Sequence, residues 1–167
     1  SIASRLASSQ TVGGTGGLRV FGELLMRLGW TSIHVSTPTW ANHGAIFEDV
    51  GLKVESYPYY NRQTHDIEFT QMLDYLNDLP ARSAVLLHGC CHNPTGIDLS
   101  NDQWQQVINV MKEKQLLACV DLAYQGFGEG IKEDISSIDL MLKSGIELII
   151  AQSFSKNFGL YGERVGA

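Results

Sequence analysis

The sequence predicts an α/β fold, a three-layer αβα sandwich built on a mainly parallel sheet. Three observations carry this. Short apolar runs rich in β-branched residues alternate with helical patterns along the chain. The runs recur about every 20 to 35 residues, the length that a strand, a crossover helix and two loops require. Several of them are apolar almost throughout, as strands buried on both faces are.

The elements follow in order. Residues 18–28, after the glycine-rich "TVGGTGGLRV", read as a helix, and residues 32–36, "SIHVS", as the first strand. Residues 43–50 carry a second helical pattern, and "LKVESY" at 52–57 a second strand. A helix over 68–79 precedes "AVLLH" at 84–88, and one over 101–114 precedes "LLACVD" at 116–121. A last helix over 138–143 leads into "LIIAQS" at 148–153. No low-complexity segment, charge block or repeated motif divides the chain, so one layered structure is expected. Right-handed crossovers bring the strand carboxyl ends to one edge, where such folds bind ligands.

Composition excludes several classes. With 167 residues, 44% of them hydrophobic, the chain can fill one sizeable core. A net charge of -6 argues against nucleic acid, which needs a basic face. No apolar run reaches the roughly 18 residues of a membrane span. The opening "SIASRLASSQ" lacks both an initiator methionine and the apolar core of a secretory signal. Cys90, Cys91 and Cys119 have no disulfide-framework spacing, which points to a reducing compartment; a cytoplasmic protein is expected, with an organellar one left open. Adjacent Cys90 and Cys91 do not match zinc-ligand spacing, so no metal is expected and all three read as packing residues.

The unusual residues fall at the predicted ligand edge. Gly13, Gly14, Thr15, Gly16 and Gly17 stand before a helix, where free N–H groups and the helix dipole favour a phosphate. A flexible turn explains that stretch equally well. Ser153, Ser155 and Arg164 add hydroxyls and a planar cationic fork near another strand end. In "CVDLAYQGFG", Asp121 ends an apolar strand and Tyr124 follows; a helix cap or turn aspartate is the plainer reading. In "HGCCHNPTGID", His88 ends a strand and Asn93 opens a turn. In "STPTWANHG", Trp40 follows a strand end and could stack on a flat ring or fill a core. Lys156 sits at the mouth of the last strand. A phosphate cradle, an aromatic plate, an acid, a phenol and a lysine together suit pyridoxal 5'-phosphate.

"GGTGGLRV", "PTWANH", "HGCCHNPTGID", "DLAYQGFGEG" and "SFSKNFGLYGERVG" resemble, in order and spacing, the aspartate aminotransferases of pyridoxal-phosphate fold type I, class I. The resemblance implies a ping-pong transamination, L-aspartate + 2-oxoglutarate to oxaloacetate + L-glutamate. It makes Lys156 the lysine that condenses with the cofactor and carries the proton. Asp121 would hold the ring nitrogen, and Tyr124 and Asn93 the phenolic oxygen. Trp40 would stack on the ring, and Gly14, Thr15, Ser153, Ser155 and Arg164 would hold the phosphate. Asn93 and Trp40 would also meet the substrate, with His43 and His88 supporting Asp121. The chain departs from the family at Gly13, where a phosphate-binding serine is common, and at Gly162, where asparagine is common.

The resemblance further implies that residues 1–167 are part of a large cofactor-binding domain. The small domain, with its carboxylate-binding arginine, would lie outside the chain, and a homodimer would complete the site. On that reading the isolated piece is inactive. Three rivals share features: an aromatic-amino-acid aminotransferase, a fold type I lyase using the same lysine and aspartate, and a non-catalytic module. "CHNPTG" and "KNFGLYGERVG" count against the lyase.

Overall fold

The computed structural model describes residues 2–167. Its centre is a five-stranded parallel sheet in the order β3-β2-β6-β7-β8. The strands are β2 (Ser32–Thr37), β3 (Lys53–Pro58), β6 (Ala84–His88), β7 (Leu117–Leu122) and β8 (Leu148–Gln152). All five predicted strands are present within a residue or so of their expected limits. Two short antiparallel pairs were not anticipated: β1 (Thr11–Val12) with β9 (Val165–Gly166), and β4 (Tyr60–Asn61) with β5 (Asp66–Ile67). Pairs of two residues are too short for any periodicity to register.

Strand alternation builds two cores. Val85 and Leu87 of β6, with Ala118, Val120 and Leu122 of β7, face α3 (Phe69–Asp78), α4 (Asn101–Glu113) and α5 (Ser136–Ser144). The intervening Ala84, Leu86, Leu117 and Cys119 face α1 (Gly13–Arg27) and α2 (Asn42–Asp49). A side-chain period of two thus sends successive residues to opposite layers. The same alternation carries His88 and Asp121 toward the α1/α2 layer. A capping box between Ser100 and Gln103 starts α4, and Gly145 in the left-handed region ends α5.

One helix begins earlier than its sequence suggests. The glycines form the first turns of α1 rather than a loop before it. A Cβ on Gly17 would stand 3.2 Å from the Ala151 Cβ, and one on Gly14 would stand 3.0 Å from the Ser153 Cβ. The glycines let α1 lie close on β8, so packing overrides their poor helix propensity.

The loop after β7 is organised by one carboxylate. Asp134 accepts backbone N–H bonds from Gly126, Gly128, Glu129 and Gly130. Burial opposes its charge, but the four donors outweigh that and hold its pKa below the ordinary 3.8. A depressed folded pKa gives stability that is complete above the unfolded value and is lost as pH falls through the folded one. Asp134→Ala should therefore cost about 2–3 kcal/mol at neutral pH, several N–H groups losing their acceptor. Urea titrations should show the gap between variant and parent shrinking as pH drops below 3.8. A gap unchanged down to pH 2 would contradict this account.

Candidate active site

The carboxyl ends of β2, β6, β7 and β8 open on one cavity, together with the first turn of α1. The ten residues expected to hold the cofactor all line it, whereas Gly13, Gly16, Gly17 and His43 do not. Gly14 and Thr15 come from α1, Trp40 from the loop after β2, and Asn93 from the loop after β6. Asp121 is in β7 and Tyr124 follows it, while Ser153, Ser155, Lys156 and Arg164 follow β8. His88 and Tyr161 complete the polar wall.

A directed chain of hydrogen bonds runs behind this wall. Its two ends are chemically fixed: a backbone N–H can only donate, and an ionised carboxylate can only accept. The Asn93 N–H donates to His88 Nδ1 at 3.3 Å, so His88 carries its proton on Nε2 and donates to Thr39 Oγ1 at 3.2 Å. The Thr39 hydroxyl is then free to donate to His43 Nδ1 at 2.7 Å, and His43 Nε2–H donates to Asp121 Oδ2 at 3.0 Å. Working inward from either end gives the same proton positions. Burial, with His92 and His43 nearby, pushes the His88 pKa down to about 3, consistent with a neutral imidazole in this chain. His43 is fully buried and Asp121 is 9% exposed. The other Asp121 oxygen has no partner among the described residues, and the residue borders the cavity.

Two cations, Lys156 and Arg164, also line the cavity. Lys156 Nζ lies 4.6 Å from the centroid of the Tyr124 ring and 5.7 Å from that of Tyr161. Arg164 Nη1 donates to Ser155 Oγ at 3.2 Å and to the Tyr161 carbonyl at 3.0 Å. Among the described residues, neither cation is paired with a carboxylate. The start of α1 also lacks a side-chain cap, leaving first-turn N–H groups for an anion. Trp40 meets His43 edge-on, centroids 5.3 Å apart, which fixes the tilt of its ring. An anion-binding end, a flat aromatic plate, a buried acid and an accessible amine therefore share one cavity. This donor set fits a phosphorylated, planar, basic aldehyde.

Gly13 has φ +67°, and a Cβ there would come 2.7 Å from Arg164 Nη2. The guanidinium occupies the space a serine side chain would take. Gly13→Ser should therefore cost about 1–2 kcal/mol of backbone strain and move Arg164. Inorganic phosphate should bind several-fold more weakly to that variant by calorimetry; tighter binding would overturn the argument.

Sequence reasoning placed His43 and His88 behind Asp121, and the structure puts them there. His43 touches Asp121 directly, whereas His88 reaches it through Thr39. Thr39 was missed, although its position four residues before His43 put it within hydrogen-bonding reach. Tyr161 was missed too, because an exposed tyrosine in "FGLYGERVG" carries no local signal for its contact with Lys156.

Comparison with known proteins agrees with this geometry. The profile of aminotransferase class I and II matches residues 4–167. An aromatic-amino-acid aminotransferase of Escherichia coli is 49% identical over 97% of this chain and 41% of its own length. An aspartate aminotransferase of Pseudomonas aeruginosa is 48% identical over 99% of this chain and 42% of its own. The chain thus spans about two fifths of the length of these relatives. The crystal structure of an aromatic amino acid aminotransferase from Burkholderia cenocepacia superposes with a TM-score of 0.92 at 48% identity, covering 94% of this chain and 40% of that one. An aromatic-amino-acid aminotransferase from Burkholderia pseudomallei, covalently bound to pyridoxal phosphate, superposes at 0.93 with 43% identity, over 95% of this chain and 40% of that one. With a profile spanning nearly the whole chain and relatives close to half identical, this chain belongs to the class I and II aminotransferase family.

Proposed function

We propose that the protein carrying this chain transfers an amino group between an amino acid and a 2-oxo acid with pyridoxal 5'-phosphate as cofactor. In our reading the pair is L-aspartate + 2-oxoglutarate, giving oxaloacetate + L-glutamate. The observation that carries it is the cavity bordered by both the Lys156 amine and the His43-bound Asp121 carboxylate. When bound, the cofactor supplies an aldehyde for condensation with amines and a ring that draws electrons from the substrate Cα.

Each residue then has a task. Arg164, Ser155, Ser153 and the α1 turn at Gly14 and Thr15 bind the phosphate. Trp40 holds the plane of the ring. Asp121, as an acceptor fixed by His43, holds a proton at the ring nitrogen. Tyr124 and Asn93 orient the phenolic oxygen, and Asn93 with Trp40 meets the substrate. Lys156 Nζ would hold the cofactor covalently and would serve as the base and acid that takes and returns the substrate Cα proton.

A small domain and a second, symmetry-related subunit would complete the site. Exposed Phe158 and Leu160, on the segment carrying Lys156, support a covered surface there. A cytoplasmic location belongs to the same proposal; relatives include a cytoplasmic enzyme of rice and a mitochondrial one of chicken. Among the described residues no helix is long and apolar enough to cross a membrane.

Preference for aromatic amino acids is the second reading, favoured by relatives of that name at 49% identity beside aspartate enzymes at 48%. Steady-state turnover of L-aspartate and L-tyrosine with 2-oxoglutarate decides between them. A higher kcat/KM for aspartate supports the first reading, and one at least tenfold higher for tyrosine establishes the second. Turnover of neither, with cofactor bound, would refute both.

A further inference from the structure

Cys90 and Cys91 follow β6 on the loop leading to Asn93, and the transamination reading gives them no task. Consecutive residues of an extended chain point to opposite sides. Cys91 instead takes φ +48°. Both sulfurs and a carboxylate oxygen of Asp134 lie within 4.8 Å of one another. Cys90 is buried and forms part of the cavity wall, while Cys91 is half-buried and offers an approach from outside. All three cysteines are free, and Cys119 is fully buried within β7.

We propose that Cys90 and Cys91 form a chelating dithiol site for trivalent arsenic, taken up as arsenous acid or an organoarsonous acid. Charge selects this ligand class. A divalent cation requires both thiols as thiolates, and the burial of Cys90 and the adjacent Asp134 carboxylate both disfavour two more negative charges there. Asp134 is a poor third metal ligand, because each of its oxygens already accepts two backbone N–H groups. Arsenic(III) hydroxides react without placing a charge in the site. With phenylarsonous acid, two As–O and two S–H bonds break, two As–S bonds form, and two waters leave. Arsenic stays trivalent, so no oxidant or reductant enters. With arsenous acid two waters likewise leave and one hydroxyl remains on arsenic. The site depends only on the geometry of this loop and stands whether or not the transamination reading does.

The test uses phenylarsine oxide, which hydrates to the arsonous acid, on the native full-length protein. Intact mass and peptide mapping after differential alkylation should show one arsenic bound, with Cys90 and Cys91 protected together. Excess 2,3-dimercaptopropanol should remove it. Cys119→Ser should leave binding unchanged, and Cys91→Ser, at a half-buried position that tolerates a hydroxyl, should weaken it at least tenfold. Absence of the adduct, its persistence in folded Cys91→Ser, or protection of the pair by cadmium but not by phenylarsine oxide would each overturn the proposal.

Discussion

Replacing Lys156 by alanine should abolish covalent attachment of pyridoxal phosphate and reduce transamination by at least the 10²–10⁴-fold that general acid–base catalysis typically contributes. The amine has two tasks in the proposed function, attachment and proton transfer, so the loss should exceed either alone. Folding should be nearly unaffected. Lys156 forms no ion pair among the described residues, and its contacts with the Tyr124 and Tyr161 rings are worth about 0.5–1 kcal/mol each at partly exposed sites. Non-covalent binding of the cofactor should persist, because Arg164, Ser155 and the start of α1 remain. Lys156→Arg separates charge from chemistry: it keeps a cation between the two rings but cannot form the covalent link or shuttle the proton near neutral pH. Borohydride reduction of the cofactor-loaded parent, followed by peptide mapping, should label Lys156. A label on Lys53, which pairs with Glu55 on the edge strand, or on Lys143, in the last turn of α5, would refute the assignment.

Much of this was legible in the sequence because its signals are local. The buried strands are apolar runs, and each site residue follows one, so a parallel sheet had to bring Trp40, Asn93, Asp121 and Lys156 to the same edge. What was not legible depends on tertiary contact. The glycines of α1 read as a loop, since helix propensity is a local quantity while the close approach to Ala151 and Ser153 is not. Gly13 read as a missing hydroxyl, because the guanidinium that fills its space comes from Arg164, far along the chain. The direction of the hydrogen-bond chain was hidden for another reason. Histidine and threonine each donate and accept, and only the order in space, from the Asn93 N–H to the Asp121 carboxylate, fixes which does which.

That direction makes the outcome at Asp121 specific. Asp121→Asn preserves shape and removes the charge. The His43 Nε2–H still requires an acceptor, so the new amide must turn its oxygen toward His43 and its –NH2 toward the cavity. A group that accepted a proton there is thereby replaced by one that donates. The ring nitrogen can no longer be held protonated, and electron withdrawal from the substrate Cα weakens. Turnover should fall by about 10²–10³-fold, the scale of losing one preorganised electrostatic contact. Covalent loading at Lys156 should stay within a few-fold of the parent, because neither the amine nor the phosphate-binding groups change. Asp121→Ala should behave differently: it leaves a buried His43 N–H without an acceptor and should cost about 1–3 kcal/mol of stability as well. Comparing kcat, covalent loading and urea midpoints across the two variants separates charge from scaffold. If Asp121→Asn turns over within tenfold of the parent, Asp121 does not hold the ring proton. Loss of loading together with turnover would instead make it a cofactor-binding residue first.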